Sequence, residues 1–469
     1  MMMRGAPIAL AALLAGCAAF STDGGMGAVQ DIAGATIEKK AVALRRPDDA
    51  DAAQRALRQL LRQPLSADTA VQIALHNNRD LQASFNALGM SEAIMVEASL
   101  PPSPVISVFD VAGGGGLEIE RRIVASILAL ATLPARADIA ADRFRQAQLR
   151  AALDTLRLAA ETRRAYYRAV AARASARFLS QAQSTAASAA QLSHRLGESG
   201  ALNKLDQARH QVFHAELTAE LATARQRAVS AREHLIRRTG LWGNDLDFRL
   251  PEALPLLPAA PRVQSAVETD AVRRRVDLQI ARIEVDALAK SYGLANTTRF
   301  VNLLDAAGIS KTMREPGGNR FHEGGAGIDL QVPLFDFGEA RMRFAGETYM
   351  QAVNRLTAKA VNVRSQAREA YQAYRANYDI ARHYRNEVLP LRQIIADETL
   401  LRYNAMQIDV FGLLTEARQR IASTQAAIRA AEAFWIADVD LGAAVDGGAD
   451  GAVLDETTAA AADGTAGRE

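Results

Sequence analysis

One cysteine and six lysines are all that the 469 residues hold of either type. Without a second thiol no intramolecular disulfide can staple the fold, even in a compartment that would permit one. The 55 basic residues nearly balance the 53 acidic ones, for a formal net charge of +2. That balance lacks the one-signed field of a nucleic-acid binder, so no nucleic acid is expected as a partner. Catalytic groupings are missing as well. The seven histidines are scattered, and no Ser or Cys nucleophile stands in a recognisable setting, so neither an enzyme nor a cofactor is expected. His210 and His214 lie four apart on a predicted helix, but no third metal ligand accompanies them, and they read as solvated helix surface. The Gly113 to Gly116 run follows a predicted strand without the lysine or helix start of a phosphate loop, and reads as a flexible turn.

What the chain does have is a repeat. Asp80-Leu81-Gln82 recurs as Asp277-Leu278-Gln279, Arg164-Ala165-Tyr166 as Glu369-Ala370-Tyr371, and Leu205 to Arg209 as Leu414 to Arg418. The offset grows in steps of about one or two helical turns, insertions that helices absorb while still facing the same way. The length is therefore one duplicated supersecondary unit, not a string of unrelated domains.

The N-terminus reads as an export signal over residues 1–16: Arg4 supplies a positive region, Ala6 to Leu14 a short apolar one, and Leu14-Ala15-Gly16-Cys17 a small-residue cleavage site. Those last four residues resemble the lipobox of bacterial lipoproteins. The resemblance implies acylation of Cys17, and more than one acyl chain gives stable membrane attachment. Residues 17–64 read as a lipidated tether with a short helix near Ala50 to Leu61.

From residue 65 the pattern is helical, with Ser66 as cap and Ala70, Ile73, Ala74, Leu81 and Leu88 at helical spacing up to Leu100, where three prolines stop it. Val105 to Val111 and Ile119 to Leu133 read as extended segments. A long helix is expected over Ala135 to Leu196, with Leu149, Leu153, Leu156, Ala160, Tyr167, Val170 and Ala174 on its seam, interrupted by Arg163. A return helix over Asn203 to Gly240 carries a heptad seam of Leu205, Ala208, Val212, Ala215, Ala219, Ala222, Val229 and Ile236. These complete a first repeat, 65–241. A Pro-rich linker, 242–262, precedes a second repeat, 263–445: a helix over Val263 to Leu294, a strand near Arg299 to Leu304, a polar loop to Gly324, a strand over Gly327 to Phe335, and a long helix to Tyr403 kinked at Pro390. Its return helix has the seam Leu414, Ala417, Ile421, Thr424, Ile428, Ala431 and Trp435. Residues 446–469 have too little apolar content to fold and read as a disordered tail.

This order resembles the TolC family of outer-membrane efflux channels, from about Leu65 to Val445. Pro64 to Asn78, with Ala74-Leu75 and Asn78, resembles the family's opening helix. Val332-Pro333-Leu334-Phe335-Asp336-Phe337-Gly338-Glu339-Ala340-Arg341 resembles its strand-to-helix turn, and Arg402 to Arg418 its periplasmic tip. The resemblance implies an α+β, mainly α fold. Each protomer of a homotrimer would give four transmembrane β-strands to a twelve-stranded barrel, continued by a long periplasmic α-helical coiled-coil barrel. Physics agrees on closure, because four spanning strands leave edges that lipid cannot satisfy. Ile328, Leu330, Val332 and Leu334 would face lipid, and Asp329 and Gln331 the lumen.

By the same resemblance the chain is a passive exit duct in the outer membrane of a Gram-negative bacterium. Its partners would be outer-membrane lipid, a periplasmic adaptor (membrane fusion protein) and an inner-membrane transporter. The tips, including Gly197, Gly200, Leu205, Met406 and Leu413, would dock the adaptor. The family's acidic mouth positions fall at Gly412 and Thr415, neither acidic, which leaves Asp409 and Glu416, and more weakly Asp206, as replacement gate residues. Under the repeat offset, Met406 and Asp409 stand where the first tip has Gly197 and Gly200. The alternative from another class is a non-conducting, adaptor-like periplasmic lipoprotein.

Overall fold

A computed structural model of the chain describes residues 20–113, 116–263, 265–315 and 317–447. The signal segment, Cys17 and the tail beyond Gly447 lie outside them, as does part of the Gly113 to Gly116 run. The helices are α1 (Pro47–Leu60), α2 (Ala67–Asn77), α3 (Arg79–Ser99), α4 (Ile127–Ala131), α5 (Leu133–Glu198), α6 (Lys204–Thr239), α7 (Val267–Arg274), α8 (Val276–Thr297), α9 (Glu339–His383), α10 (Leu389–Asn404) and α11 (Val410–Asp446). The strands are β1 (Val105–Gly113), β2 (Gly116–Ser126), β3 (Leu303–Arg314) and β4 (Arg320–Gln331). The helix α5, at 66 residues, is about 100 Å long at 1.5 Å per residue.

Two compact units form, and each draws on both repeats. The expected boundaries at 241 and 263 are therefore not unit boundaries. The first unit takes the described residues up to Val29, 83–151 and 276–361; the second takes 30–82, 152–275 and 362–447.

In the first unit a sheet of order β1-β2-β3-β4, antiparallel throughout, is accompanied by helices. The start of α5 is tied to α8 by Lys290 Nζ to Asp142 Oδ2 at 2.5 Å and by Gln146 Nε2 donating to the Ile280 carbonyl. Ser21 docks on the Glu92 carboxylate through both its backbone N–H and its hydroxyl.

The second unit is held by three apolar clusters. One joins α1, α2, α5, α6 and α11 around Ile73, Tyr166, Val170 and Leu235. Another joins α7, α9 and α11 around Tyr374, Tyr378 and Phe434. The third joins α5, α6 and α11 around Leu179, Phe213, Leu217 and Leu414. The helix α11 belongs to all three and is the organising element of this unit.

Several sequence expectations need correction. The opening helix of each repeat is broken, at Asn78 (φ −69°, ψ 120°) and Arg275 (φ −61°, ψ 116°). These two sites are separated by the same offset as Asp80 and Asp277, so the break was duplicated with the helix. Asn78 makes it structural: its Oδ1 accepts from Leu81 N at 3.0 Å and its Nδ2 donates to the Arg238 carbonyl. The extended stretch expected to Leu133 stops at Ser126, whose hydroxyl caps α4.

In the second repeat β3 and β4 share only residues 303–304 and 327–331 with their expected places, because Gly308, Gly324 and Gly325 give strand residues the look of loop. Pairing ends at Gln331, since Pro333 has no N–H to give. Val332 and Leu334 accordingly lie past the strand, in the turn before α9. The long helix is interrupted by a π-turn, Tyr384–Val388, immediately before Pro390.

The segment before residue 64 does not hang free, and neither does 242–262. Val29 and Ala33 are buried. The extended stretch 39–44 is held by glutamine side chains: Gln30 and Gln82 each bond backbone on both amide atoms, and Gln72 donates to the Lys40 carbonyl. Phe248 and Leu250 are buried in the second unit, with the Arg232 guanidinium 3.9 Å from the Phe248 ring centre.

Candidate functional site

The sheet has two unpaired edges, β1 and β4, because pairing runs only β1-β2-β3-β4. Strands of 9, 11, 12 and 12 residues match the length a tilted transmembrane strand requires. Directly opposed residues share a face, so the register assigns the side chains. One face carries Ser107, Phe109 and Val111; Glu118, Glu120 and Arg122; Asp305, Ile309 and Lys311; and Glu323, Asp329 and Gln331. The other carries Ile106, Val108 and Asp110; Ile119, Arg121 and Ile123; Leu304, Ala306 and Arg314; and Arg320, His322, Ile328 and Leu330.

Both cations of the first face are paired, Arg122 with Asp329 at 2.8 Å and Lys311 with Glu118 at 2.5 Å. On the second face Ile106, Ile328 and Leu330 are exposed in the protomer. Strand parity thus separates Asp329 and Gln331 from Ile328 and Leu330. No described helix is long and apolar enough to cross a membrane.

The second site is the pair of hairpin tips in the second unit. They are the same turn built twice. Ala201 N donates to the Leu196 carbonyl and Gln407 N to the Arg402 carbonyl, both at 2.8 Å. Gly200 (φ +77°) and Met406 (φ +56°) fill the left-handed place. Asn203 and Asp409 then cap the return helices, each accepting a backbone N–H three residues on at 2.9 Å. The counterpart of Met406 is therefore Gly200, not Gly197, and that of Asp409 is Asn203. The asymmetry expected from the helix offset becomes a single substitution, glycine against an exposed methionine in a strained backbone.

The three carboxylates considered for a gate all have intrachain roles. Asp409 is a cap and remains exposed. Glu416 is buried and paired with Arg392 at 3.2 Å. Asp206 bonds Asn203 Nδ2 and pairs with Arg209 at 3.0 Å. Of Asp409 and Glu416, the buried and paired Glu416 is the poorer ring residue.

The repeat-equivalent arginines have work the sequence did not reveal. Arg209 of α6 stands 5.1 Å from the Phe411 ring of α11, and Arg418 of α11 stands 5.5 Å from Phe213 of α6 while pairing with Glu216 at 2.7 Å. His210 and His214 are half-buried, not solvated. His214 accepts from or donates to Gln183 at 2.9 Å, while burial holds His210 below its ordinary pKa. Among the described residues no group of three or more His, Cys, Asp or Glu could hold a metal ion.

From Leu205 to Val229 the expected seam of α6 faces away from its core, and only its last member, Ile236, is buried. Leu205, Val212 and Val229 are 62, 52 and 62% exposed, and Ala208, Ala215, Ala219 and Ala222 are exposed with them. The buried stripe is Phe213, Leu217, Leu221 and Ala224, roughly opposite at about 100° per residue. On α10, Leu391, Ile394 and Leu401 are likewise exposed, at 58, 59 and 62%. The matching seam of α11 behaves differently: Leu414 is buried, with Ala417 and Ile421 packed beside it. Periodicity found both seams, but only contacts could assign their partners.

Duplicated helical hairpins with a four-stranded antiparallel sheet define the chain as having the TolC-family outer-membrane channel fold. No family model matches the chain. In structure it is similar to the outer membrane channel CmeC of Campylobacter jejuni, with a TM-score of 0.70, 15% identity, and coverage of 85% of this chain and 88% of that one. It is also similar to the outer membrane protein VceC of Vibrio cholerae, with a TM-score of 0.68, 14% identity, and coverage of 85% and 99%. In sequence it is 24% identical over 291 residues to the cobalt-zinc-cadmium resistance protein CzcC of Cupriavidus metallidurans, a match covering 58% of this chain and 64% of that protein. The chain thus matches less than two thirds of the length of this curated relative.

Proposed function

We propose that the chain is the outer-membrane exit duct of a tripartite efflux system, passively releasing what an inner-membrane pump and a periplasmic adaptor deliver. The observation that carries this reading is the sheet: strands of spanning length, one face with an exposed apolar stretch that gives way to arginines toward the β3–β4 turn, and two edges with no partner. Such edges are untenable in lipid, and closure with other copies satisfies them. β1 of one protomer would pair with β4 of the next, giving twelve strands from three chains. Asp329 and Gln331 would then line the lumen, with Ile328 and Leu330 against lipid.

The helices support the same symmetry. The exposed seam of α6 and the exposed face of α10 are different surfaces, so a contact between them is heterologous and closes as a ring, not as a two-fold pair. In this reading Cys17 is acylated and the protein is anchored in the outer membrane of a Gram-negative bacterium. The adaptor docks on the tips around Gly197, Gly200, Leu205, Met406 and Leu413, and Asp409, exposed at the second tip, supplies carboxylates at the mouth. The likeness to CzcC makes divalent metal cations the first cargo to test.

Single-channel recording of the purified protein in a planar bilayer tests the duct directly, and a stepwise pore current is expected. Intact trimers that pass no current would favour the rival, a non-conducting adaptor-like lipoprotein.

A further inference from the structure

The two faces of the sheet treat their cations differently. Arg122 and Lys311, on the charged face, are both neutralised within the protomer. Arg121, Arg314 and Arg320 lie on the other face, the one bearing Ile106, Ile123, Ile328 and Leu330. All three are exposed, and none forms an ion pair with any described residue. Arg314 and Arg320 are also directly opposed across β3 and β4, an arrangement that repels unless an anion lies between the two charges.

Their position along the strands is equally specific. Ten residues of β4 separate Leu330 from Arg320, about 34 Å at 3.4 Å per residue. At a strand tilt near 40° this is about 26 Å of membrane depth, close to the apolar band of an outer-membrane barrel. Arg314 and Arg320 therefore reach the interface at the end of the sheet that carries the β3–β4 turn. Arg121, in register with Ser310, lies four residues short of that row, within reach of a long side chain that extends toward the interface. The other titratable groups nearby are Asp110 on β1, which faces the same way but makes no ion pair, Glu315 in the turn, and His322, bonded to Thr312 at 3.1 Å.

From the unpaired arginines, their like-charge opposition and their continuity with the apolar face, we infer that Arg121, Arg314 and Arg320 bind the phosphates of a phosphorylated glycolipid in the outer leaflet. The acyl chains of that lipid would lie along Ile106, Ile123 and Ile328. The inference rests on the barrel reading above. Arginine suits the role because its planar fork can give two parallel N–H bonds to one phosphate.

Native mass spectrometry of the detergent-solubilised protein, with bisphosphorylated lipid A as the probe, tests this. The wild type should bind lipid A about tenfold more tightly than the same lipid after dephosphorylation, and the triple variant R121Q/R314Q/R320Q should lose about the same factor. The corresponding triple lysine variant should retain most of the affinity, and inorganic phosphate should leave the lipid adduct in place. Equal binding of the two lipids, a glutamine variant that binds as the wild type does, or displacement by inorganic phosphate would each overturn the assignment. The comparison of lipids on the wild type stands even if the triple variant fails to fold. Bilayer recording of the same preparation separates the two claims: no pore overturns the barrel and this inference with it, whereas a pore without phosphate preference overturns this inference alone.

Discussion

Replacing Val212 by Asp should dismantle the oligomer and leave the protomer folded. Val212 is 52% exposed, and Leu205 and Val229 are each 62% exposed. Complete burial of a Leu or Val side chain contributes about 1.5–3 kcal/mol, so covering the exposed part of these three stabilises each interface by about 3–5 kcal/mol. An aspartate in the seam removes its share and adds an unpaired charge at a cost of several kcal/mol. A net loss of about 4 kcal/mol weakens each interface roughly a thousandfold, and a ring cannot close around weakened joints. Size-exclusion chromatography with light scattering should show monomers, with the circular-dichroism spectrum of a folded helical protomer. The neighbouring Phe213→Asp is the contrast: Phe213 is 7% exposed, so that variant should lose protomer stability itself. Ile394→Asp, on the exposed face of α10, should behave like Val212→Asp. Mixed together, the two variants still offer one intact α6 seam and one intact α10 face, so they should form heterodimers and no trimers. Trimers that persist in both Val212→Asp and Ala219→Asp, or a mixture with no heterodimer, would refute the heterologous seam.

Met406→Gly should raise stability by about 1 kcal/mol, because it relieves a left-handed backbone at a side chain 93% exposed; a lower melting temperature would contradict the tip geometry. Asn78→Ala should cost about 1–2 kcal/mol, since it removes both the cap of α3 and the bond to the Arg238 carbonyl, and a denaturant midpoint equal to the wild type would count against the break being structural. Burial, and secondarily Lys40, holds His76 below its ordinary pKa of 6.5. The unfolded chain therefore binds the proton more readily, and stability present above that value is lost as pH falls through the depressed folded-state pKa. Because Gln72 bonds both His76 and the Lys40 carbonyl, hydrogen exchange at the Ala41 and Leu44 amides should accelerate between about pH 7.5 and about pH 5.5 beyond the intrinsic rate; unchanged protection would exclude the coupling.

Helices were legible where local chemistry dictates them. Ser66, Asn203 and Gly240 were read as termini and serve as such, by side-chain capping or a left-handed backbone. Strands of the second repeat were not legible, because glycine-rich strands need not alternate cleanly: Gly308 to Ser310 and Gly324 to Gly327 pair in register with little side chain to signal it. Nor could periodicity tell which face of α6 is covered, since Val212 and Phe213 are adjacent apolar residues about 100° apart. Acidity alone does not mark a gate residue: Asp409 caps a helix and Glu416 sits in a buried ion pair, uses of a carboxylate that sequence does not separate from a channel mouth.

The duplication explains why one seam is buried and its copy exposed. Leu414, Ala417 and Ile421 of α11, from the second repeat, share a cluster with Leu179 and Ala186 of α5, the long helix of the first. The contact joins a return helix to the other repeat's long helix. Repeated in the same sense, it requires α6, the first return helix, to meet the second repeat's long helix, whose far end is α10. Within one protomer α11 already holds the place between them, packing on both α10 and α6, so in the proposed ring the α10 that α6 meets belongs to another copy. One chain therefore makes the joint once internally and leaves its two halves, the Leu205 seam and the Leu391 face, for neighbours. Any number of copies would obey that rule; in the proposed trimer the four-stranded sheets would also reach a twelve-stranded closure, so helices and sheet favour the same ring on separate grounds.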